Sequence, residues 1–271
     1  MLSTNSPLIM GILNITPDSF SDGGRYIHID HALQQVETML AEGVDIIDVG
    51  GESTRPGATP VSASEQIVRV TPIIKALHQH YPQLNLSIDT TLSQVAQAAL
   101  DAGAHTINDV SAGLGDPDML NFAATSQAPI ILMHMQGVPQ TMQENPYYDD
   151  VVAEVKHFLQ QRLDIALATG IKANKLMIDP GIGFGKRRQD NIDLLANLNQ
   201  FVELGFPVLL GTSRKRFMGN ILNVSEPDDL VIATATTTAL GVMAGVQMFR
   251  VHDVKANRQA ADLAWAIKQA Q

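Results

Sequence analysis

A single closed (β/α)₈ barrel is the fold this sequence predicts, and three observations predict it. Eight short apolar runs alternate with eight segments of helical period along the chain. The length of 271 residues is close to the roughly 250 that one such barrel uses. Almost every run ends, on its C-terminal side, in a polar residue that a core would not choose.

The units follow in order. Leu8–Leu13 is a continuous apolar run after the short, polar Met1–Pro7, and it ends at Asn14. A helical pattern over Asp30–Glu42 stops at Gly43, and Asp45–Val49 follows with Asp48 near its end. Ala63–His80 is helical, and Leu86–Ile88 leads to Asp89. Leu92–Ala102 stops at Gly103, and Thr106–Ile107 leads to Asn108 and Asp109. Asp116–Thr125 precedes Pro129–Met133, which ends at His134. Val151–Thr169 stops at Gly170, and Lys175–Ile178 leads to Asp179. Asn191–Leu204 stops at Gly205, and Pro207–Leu210 leads to Thr212–Lys215. Asp228–Ala244 precedes Gln247–Val251, which carries Arg250 and ends at His252, and Val254–Ala270 closes the chain. Apolar strands joined by helices mean a parallel sheet covered on both faces. The four glycines sit where helices end in the left-handed conformation. No linker or second domain interrupts residues 1–271, so one domain is expected. In a barrel the polar strand ends converge on one mouth, where active sites of this fold lie.

Composition narrows the function. Lys and Arg total 18 against 28 Asp and Glu, a net charge of −10 with no basic run, which argues against nucleic acid as a partner. Cysteine is absent, which removes disulfides, Cys-ligated metals and thiol nucleophiles. Met1–Pro7 has neither a basic n-region nor an apolar h-region, and no stretch reaches the ~20 apolar residues of a membrane span. A cytoplasmic protein without membrane contact is expected. A mouth lined by carboxylates and carboxamides with a few cations suits a polar heterocycle carrying an anionic tail.

Three loops are rich in Gly, Ser, Thr, Asp and Pro. They are Thr16–Gly24, the segment Gly50-Gly51-Glu52-Ser53-Thr54-Arg55-Pro56-Gly57, and Asp179-Pro180-Gly181-Ile182-Gly183-Phe184-Gly185-Lys186. With Ser87-Ile88-Asp89-Thr90, Ile107-Asn108-Asp109-Val110, Gly211-Thr212-Ser213-Arg214-Lys215 and Phe249-Arg250-Val251-His252, the chain resembles the dihydropteroate synthases of the folate pathway from end to end. One departure is Ile182, where the family commonly has Phe. The resemblance implies condensation of 6-hydroxymethyl-7,8-dihydropterin diphosphate with 4-aminobenzoate, giving 7,8-dihydropteroate and pyrophosphate with Mg²⁺ assistance.

It also implies roles, residue by residue. Asp89, Asn108, Asp179 and Lys215 match the pterin pocket, with Asp179 accepting the paired donors of the 2-amino and N3–H edge. Asn14, Thr54, Arg55, Arg250 and His252 match the diphosphate site. Asn14 matches the Mg²⁺ ligand, and Asp22, alone or with Asp18, completes the metal shell; as ordinary turn aspartates the two read equally well. Phe20, Thr54, Pro56, Phe184 and Ser213 match the 4-aminobenzoate site, with Lys215 along its edge. Asp22, Thr54, Arg55, Lys215, Arg250 and His252 are thus the expected catalytic set. An aryl amine is neutral at pH 7, so the chemistry needs stabilisation of the leaving group rather than a strong base.

Other features are set aside. The Gly181–Lys186 segment fails as a nucleotide loop because Arg187 stands where Ser or Thr is required. Met133-His134-Met135 reads as packing at the pocket floor, and Arg187 and Arg188 as surface cations. The segment Gln136–Asp150 is long for a barrel connection and flanks the pocket without an assigned role. Two alternative functions remain: methyl transfer from methyltetrahydrofolate, which would not need the diphosphate loops, and a silent pterin-binding paralogue, which would have lost one of them. The resemblance further implies a homodimer through the late helices, around Val231–Ala244, and sulfonamides as competitors of 4-aminobenzoate.

Overall fold

Each apolar run becomes a strand in the computed structural model, which describes residues 6–15, 25–53 and 57–271, with the side chains of 25–28 left aside. The strands are β1 (Leu8–Asn14), β2 (Ile46–Gly50), β3 (Asn85–Asp89), β4 (Thr106–Asp109), β5 (Ile130–Met133), β6 (Leu176–Asp179), β7 (Leu209–Leu210) and β8 (Met248–Val251). The helices are α1 (Arg25–Ala41), α2 (Ala63–His80), α3 (Ser93–Asp101), α4 (Met119–Ser126), α5 (Val151–Ala168), α6 (Arg188–Ala196), α7 (Leu198–Val202), α8 (Arg216–Leu222), α9 (Val231–Ala244) and α10 (Val254–Gln269).

All strand pairs are parallel, in the order β6-β5-β4-β3-β2-β1-β8-β7. The two ends of that order meet at a bridge between Ile178 and Val208, where Ile178 N–H donates to Pro207 O at 3.0 Å. The result is a nearly closed single-domain barrel with helices around it. The helices form because their apolar residues recur on one face: α2 buries Val70, Ile73, Ile74 and Leu77, with the hydrogen-bonded Gln66 beside them. Its N-cap Ser62 accepts from Glu65 N–H, and Asp150 accepts from Ala153 N–H at the head of α5.

Strand alternation sorts the interior into two cores. Leu8, Met10, Ile46, Ile131, Met177, Leu209 and Met248 fill the lower barrel as one cluster. Their neighbours, such as Ile9, Ile47, Ile130, Ile178, Leu210 and Phe249, face outward into the larger cluster under the helices. Continuing the inward rows upward changes their chemistry. Met248 is followed by Arg250, Ile46 by Asp48, and Met177 by Asp179. Registry places Asn14, Gly50, Asp89 and Asn108 side by side in one row, directly above Ile12, Asp48, Ser87 and Thr106. An apolar plug thus supports a polar mouth. Gly50 leaves that row open between Asn14 and Asp89; a Cβ there would meet Asn14 Oδ1 and Asp89 Cβ at 3.6 Å.

Three helical expectations change. The segment expected as one helix over Asn191–Leu204 divides into α6 and α7 at Asn197, whose side chain donates to Asp193 O at 2.8 Å and so competes with helical continuation. Asp228–Ala244 starts as a 3₁₀ turn, Pro227–Leu230, before α9. The seven-residue α8 is too short to show a period in sequence, and it ends at Asn223 in the left-handed region, φ 56°.

Candidate active site at the C-terminal mouth

Arg250 organises the mouth. Its Nε donates to Asp48 Oδ2 at 2.6 Å and its Nη2 to Asp89 Oδ2 at 2.7 Å, so one guanidinium joins β8 to β2 and β3. Asn108 Nδ2 donates to the same Asp48 oxygen at 3.0 Å, bringing in β4. Burial opposes the charge on Arg250, but Asp48 and Asp89 outweigh it and hold the guanidinium above its ordinary value. Asp89 goes the other way. Burial pushes its carboxyl up to about 7, helped by Asp48, Asp109 and Glu52 and opposed by Arg250. Asp48 Oδ1, Asp89 Oδ1 and Ser87 Oγ are buried without a hydrogen-bond partner among the described residues. Buried polar atoms are normally satisfied, so these atoms are open to partners from outside the described residues.

The opposite wall is set by β6 and the segment after β7. Burial raises Asp179, against the pull of Lys215, the Gly181 N–H (2.7 Å), Lys186 and Arg250. Burial lowers Lys215 to about 7, with Asp179 opposing and Arg250 adding. Lys215 Nζ donates to Ile182 O and stands 4.5 Å from the Phe184 ring centroid. Ser213 Oγ lies 2.9 Å from His252 Nδ1 and accepts from His252 N–H at 3.1 Å. Asn14 and His252 share a cleft of about 390 Å³ with Ile12, His31, Gln34, Gln35 and Thr38.

Of the residues singled out from the sequence, Asn14, Asp89, Asn108, Asp179, Phe184, Ser213, Lys215, Arg250 and His252 all stand at this mouth. Asp18, Phe20, Asp22, Thr54, Arg55 and Pro56 lie outside the described residues. Two placements refine the sequence reading. Arg250, matched to the diphosphate, is shared between two carboxylates and borders the pterin-matched residues. Ser213, matched to 4-aminobenzoate, is tied to His252 of the diphosphate set. Arg187 and Arg188 are exposed, as expected.

The sequence assigns no role to several residues at the mouth. Asp48 is marked there only as a strand-end aspartate, by its position near the end of the second run. Glu52 accepts from Val61 N–H at 2.7 Å and Gln66 Nε2 at 3.1 Å, bracing the loop after β2. Lys186 is buried, with its Nζ 2.9 Å from His134 Nδ1. Nothing local marks that pair, since 52 residues separate its members.

The family model described as "Pterin binding enzyme" matches residues 10–252. The dihydropteroate synthase of Synechocystis sp. is 46% identical over 259 residues, covering 96% of this chain and 89% of the relative. The structure of the Yersinia pestis dihydropteroate synthase with a sulfonamide drug complex superposes with a TM-score of 0.92 at 44% identity, covering 99% of this chain and 96% of that one. That of the Xanthomonas albilineans dihydropteroate synthase with 4-aminobenzoic acid gives a TM-score of 0.91 at 44% identity, covering 98% and 94%.

Proposed function

The chain belongs to the pterin-binding enzyme family and, within it, to the dihydropteroate synthases, and from that premise we propose how its mouth performs the reaction. The enzyme condenses 6-hydroxymethyl-7,8-dihydropterin diphosphate with 4-aminobenzoate to give 7,8-dihydropteroate and pyrophosphate. The observation that carries the site assignment is the clustering of buried acceptors with two cations at one mouth. Asp48 and Asp89 both meet Arg250, Asn108 joins them through Asp48, and Asp179 interacts with Lys215.

Asp179 accepts the 2-amino and N3–H pair of the pterin, Asp89 and Asn108 meet the remaining ring nitrogens, and Lys215 donates to the ring carbonyl. The orphaned oxygen of Asp89 supports this use. The electron pair of the neutral aryl amine forms the new C–N bond at the pterin methylene. The C–O bond to the diphosphate breaks with its electrons going to the leaving oxygen, and the amine proton passes to solvent. We assign Arg250 and His252 to the charge that develops on the diphosphate, and the resemblance adds Thr54 and Arg55 to that role. We assign Phe184 and Ser213 to the 4-aminobenzoate seat, and the resemblance adds Phe20, Thr54 and Pro56.

Asn14, an oxygen donor at the end of β1 beside the cleft, fits a Mg²⁺ seat, because that ion keeps several waters and takes few protein ligands plus substrate phosphate. Asn14, with Asp22, would hold the ion, whose charge when bound stabilises the departing diphosphate.

We also infer a homodimer through α9 and α10, supported by exposed Ile232 and Leu240 on the first and Leu263 and Ile267 on the second. Sedimentation that gives only monomer at micromolar concentration rejects it. No helix among the described residues is long and apolar enough to cross a membrane. A cytoplasmic location is our reading, and cell fractionation tests it. Sulfonamides are expected to compete with 4-aminobenzoate. Methyl transfer from methyltetrahydrofolate is not favoured. The primary test is pyrophosphate release with the pterin diphosphate, 4-aminobenzoate and Mg²⁺ each omitted in turn. Release that requires both substrates and falls with chelator is expected; tight pterin diphosphate binding without release overturns the chemistry.

A further inference from the structure

Five consecutive carbonyls of the β6–α6 loop are each taken by a side chain. Lys186 Nζ donates to Gly181 O at 2.8 Å and to Phe184 O at 3.0 Å. Lys215 Nζ donates to Ile182 O. Gln143 Nε2 donates to Gly183 O at 2.7 Å, and Tyr148 Oη to Gly185 O at 2.8 Å. Loop carbonyls are ordinarily left to water or to a neighbouring backbone, so this arch is held by its surroundings. The arch needs positive φ at Gly181, Gly183 and Gly185. It also lies directly on the β5–α5 segment: a Cβ on Gly181 would strike His134 O, and one on Gly185 would strike Gln136 O.

The β5–α5 segment is built to hold still. Gln136 Nε2 donates to Tyr147 O and its Oε1 accepts from Tyr147 N–H, both at 3.1 Å, closing the segment at its base next to Tyr148. Tyr148 is buried, with its ring 6.0 Å from that of His134. His134, pushed down to about 2 by burial and by Lys186, is neutral, and it packs edge-on against Phe158 at 4.8 Å. On its other side the segment receives Gly57 N–H at Pro139 O, 3.3 Å. It therefore touches the loops that follow β2 and β6.

We propose that the β5–α5 segment, through Gln143 and Tyr148, is a positioning element that sets the Gly181–Gly185 arch and thereby holds Phe184 in place beside Lys215. Gln143 and Tyr148 touch no substrate in this scheme; they act through the loop. The effect on turnover rests on the reading that Phe184 borders the 4-aminobenzoate seat. Asp179 and Lys215 are tied to the first two residues of the arch, at Gly181 N–H and Ile182 O, whereas Gln143 and Tyr148 hold Gly183 O and Gly185 O. Loosening these last two contacts therefore weakens the arene site more than the pterin site.

Gln143→Ala and Tyr148→Phe test this, the second preserving ring and packing. Two measurements apply: amide exchange over residues 181–186 by mass spectrometry, and separate KM values for 4-aminobenzoate and the pterin diphosphate. Each variant is expected to speed exchange in the arch about tenfold and to raise the KM for 4-aminobenzoate by about fivefold to tenfold, the consequence of leaving one buried carbonyl unpaired. The KM for the pterin diphosphate is expected to stay within about twofold. Unchanged exchange overturns the proposal. So does faster exchange with both KM values moved alike or neither moved, because the contacts would then serve stability alone. Exchange needs no turnover, so an inactive wild type would refute the assigned reaction while exchange still decides whether the arch is held.

Discussion

Asp48→Asn isolates one charge at the centre of the mouth while keeping its shape. Arg250 Nε and Asn108 Nδ2 both donate to Asp48 Oδ2, and Oδ1 has no partner among the described residues. The amide oxygen can take the Oδ2 position and accept both bonds, leaving the NH₂ where Oδ1 was. The fold therefore loses a charge-assisted bond and gains one unsatisfied donor, together about 1–3 kcal/mol, or a melting temperature lower by a few degrees for a domain of this size. The larger consequence falls on Asp89. Two carboxylate oxygens gripped by one guanidinium lie about 5 Å apart, where a unit charge at an effective dielectric of about 20 is worth about 3 kcal/mol. Arg250 stands between them and offsets part of this, so removing the Asp48 charge should lower the Asp89 pKa from about 7 by about one to two pH units. If the pterin needs Asp89 ionised, kcat/KM for the pterin diphosphate rises through about pH 7 in the wild type and through a lower pH in the variant. Stability gives the second reading. Because the folded-state pKa of Asp89 is raised, its contribution is full at acid pH and is lost as the pH climbs towards 7; in the variant that loss is smaller and ends earlier. The assay is a pH series of kcat/KM beside denaturant unfolding at the same pH values. An acid limb that stays in place, or moves to higher pH, refutes the electrostatic account of this site.

Lys215→Met should weaken pterin diphosphate binding by about a hundredfold in calorimetry, the loss of a charged hydrogen bond. Lys215 is lowered to about 7 by burial, so wild-type stability should rise between about pH 7 and pH 10.5 as the unfavourable charge is shed. Urea unfolding at pH 7 and 9.5 should show that gain in the wild type and its disappearance in the variant. Gly183→Ala places a Cβ 2.8 Å from Lys215 Cδ at a φ of +82°. Both features oppose it, and a loss of at least ~1 kcal/mol by denaturant unfolding, with a raised KM for the pterin diphosphate, is expected. Wild-type stability and KM in that variant would show that the arch tolerates the change.

Much of the barrel is legible in one dimension because strand alternation and helix period are local properties. The runs ending at Asn14, Asp89, Asn108 and Asp179 are visible as apolar stretches, and the polar residue after each points to the mouth once the fold is known. Gly43, Gly103, Gly170 and Gly205 mark helix ends because only the left-handed conformation is needed there, and each has a positive φ. The family resemblance, carried by loop motifs, names the reaction. Tertiary structure decided how the charges pair. Arg250 lies 202 residues from Asp48 and 161 from Asp89, and no local pattern can specify that one guanidinium serves both. The same holds for Lys186 with His134 and for Tyr148 with Gly185. Local periodicity records which face of a strand is buried. Which buried charge meets which, and so how strongly each holds its proton, depends on barrel closure, because desolvation and Coulomb forces act through space rather than along the chain.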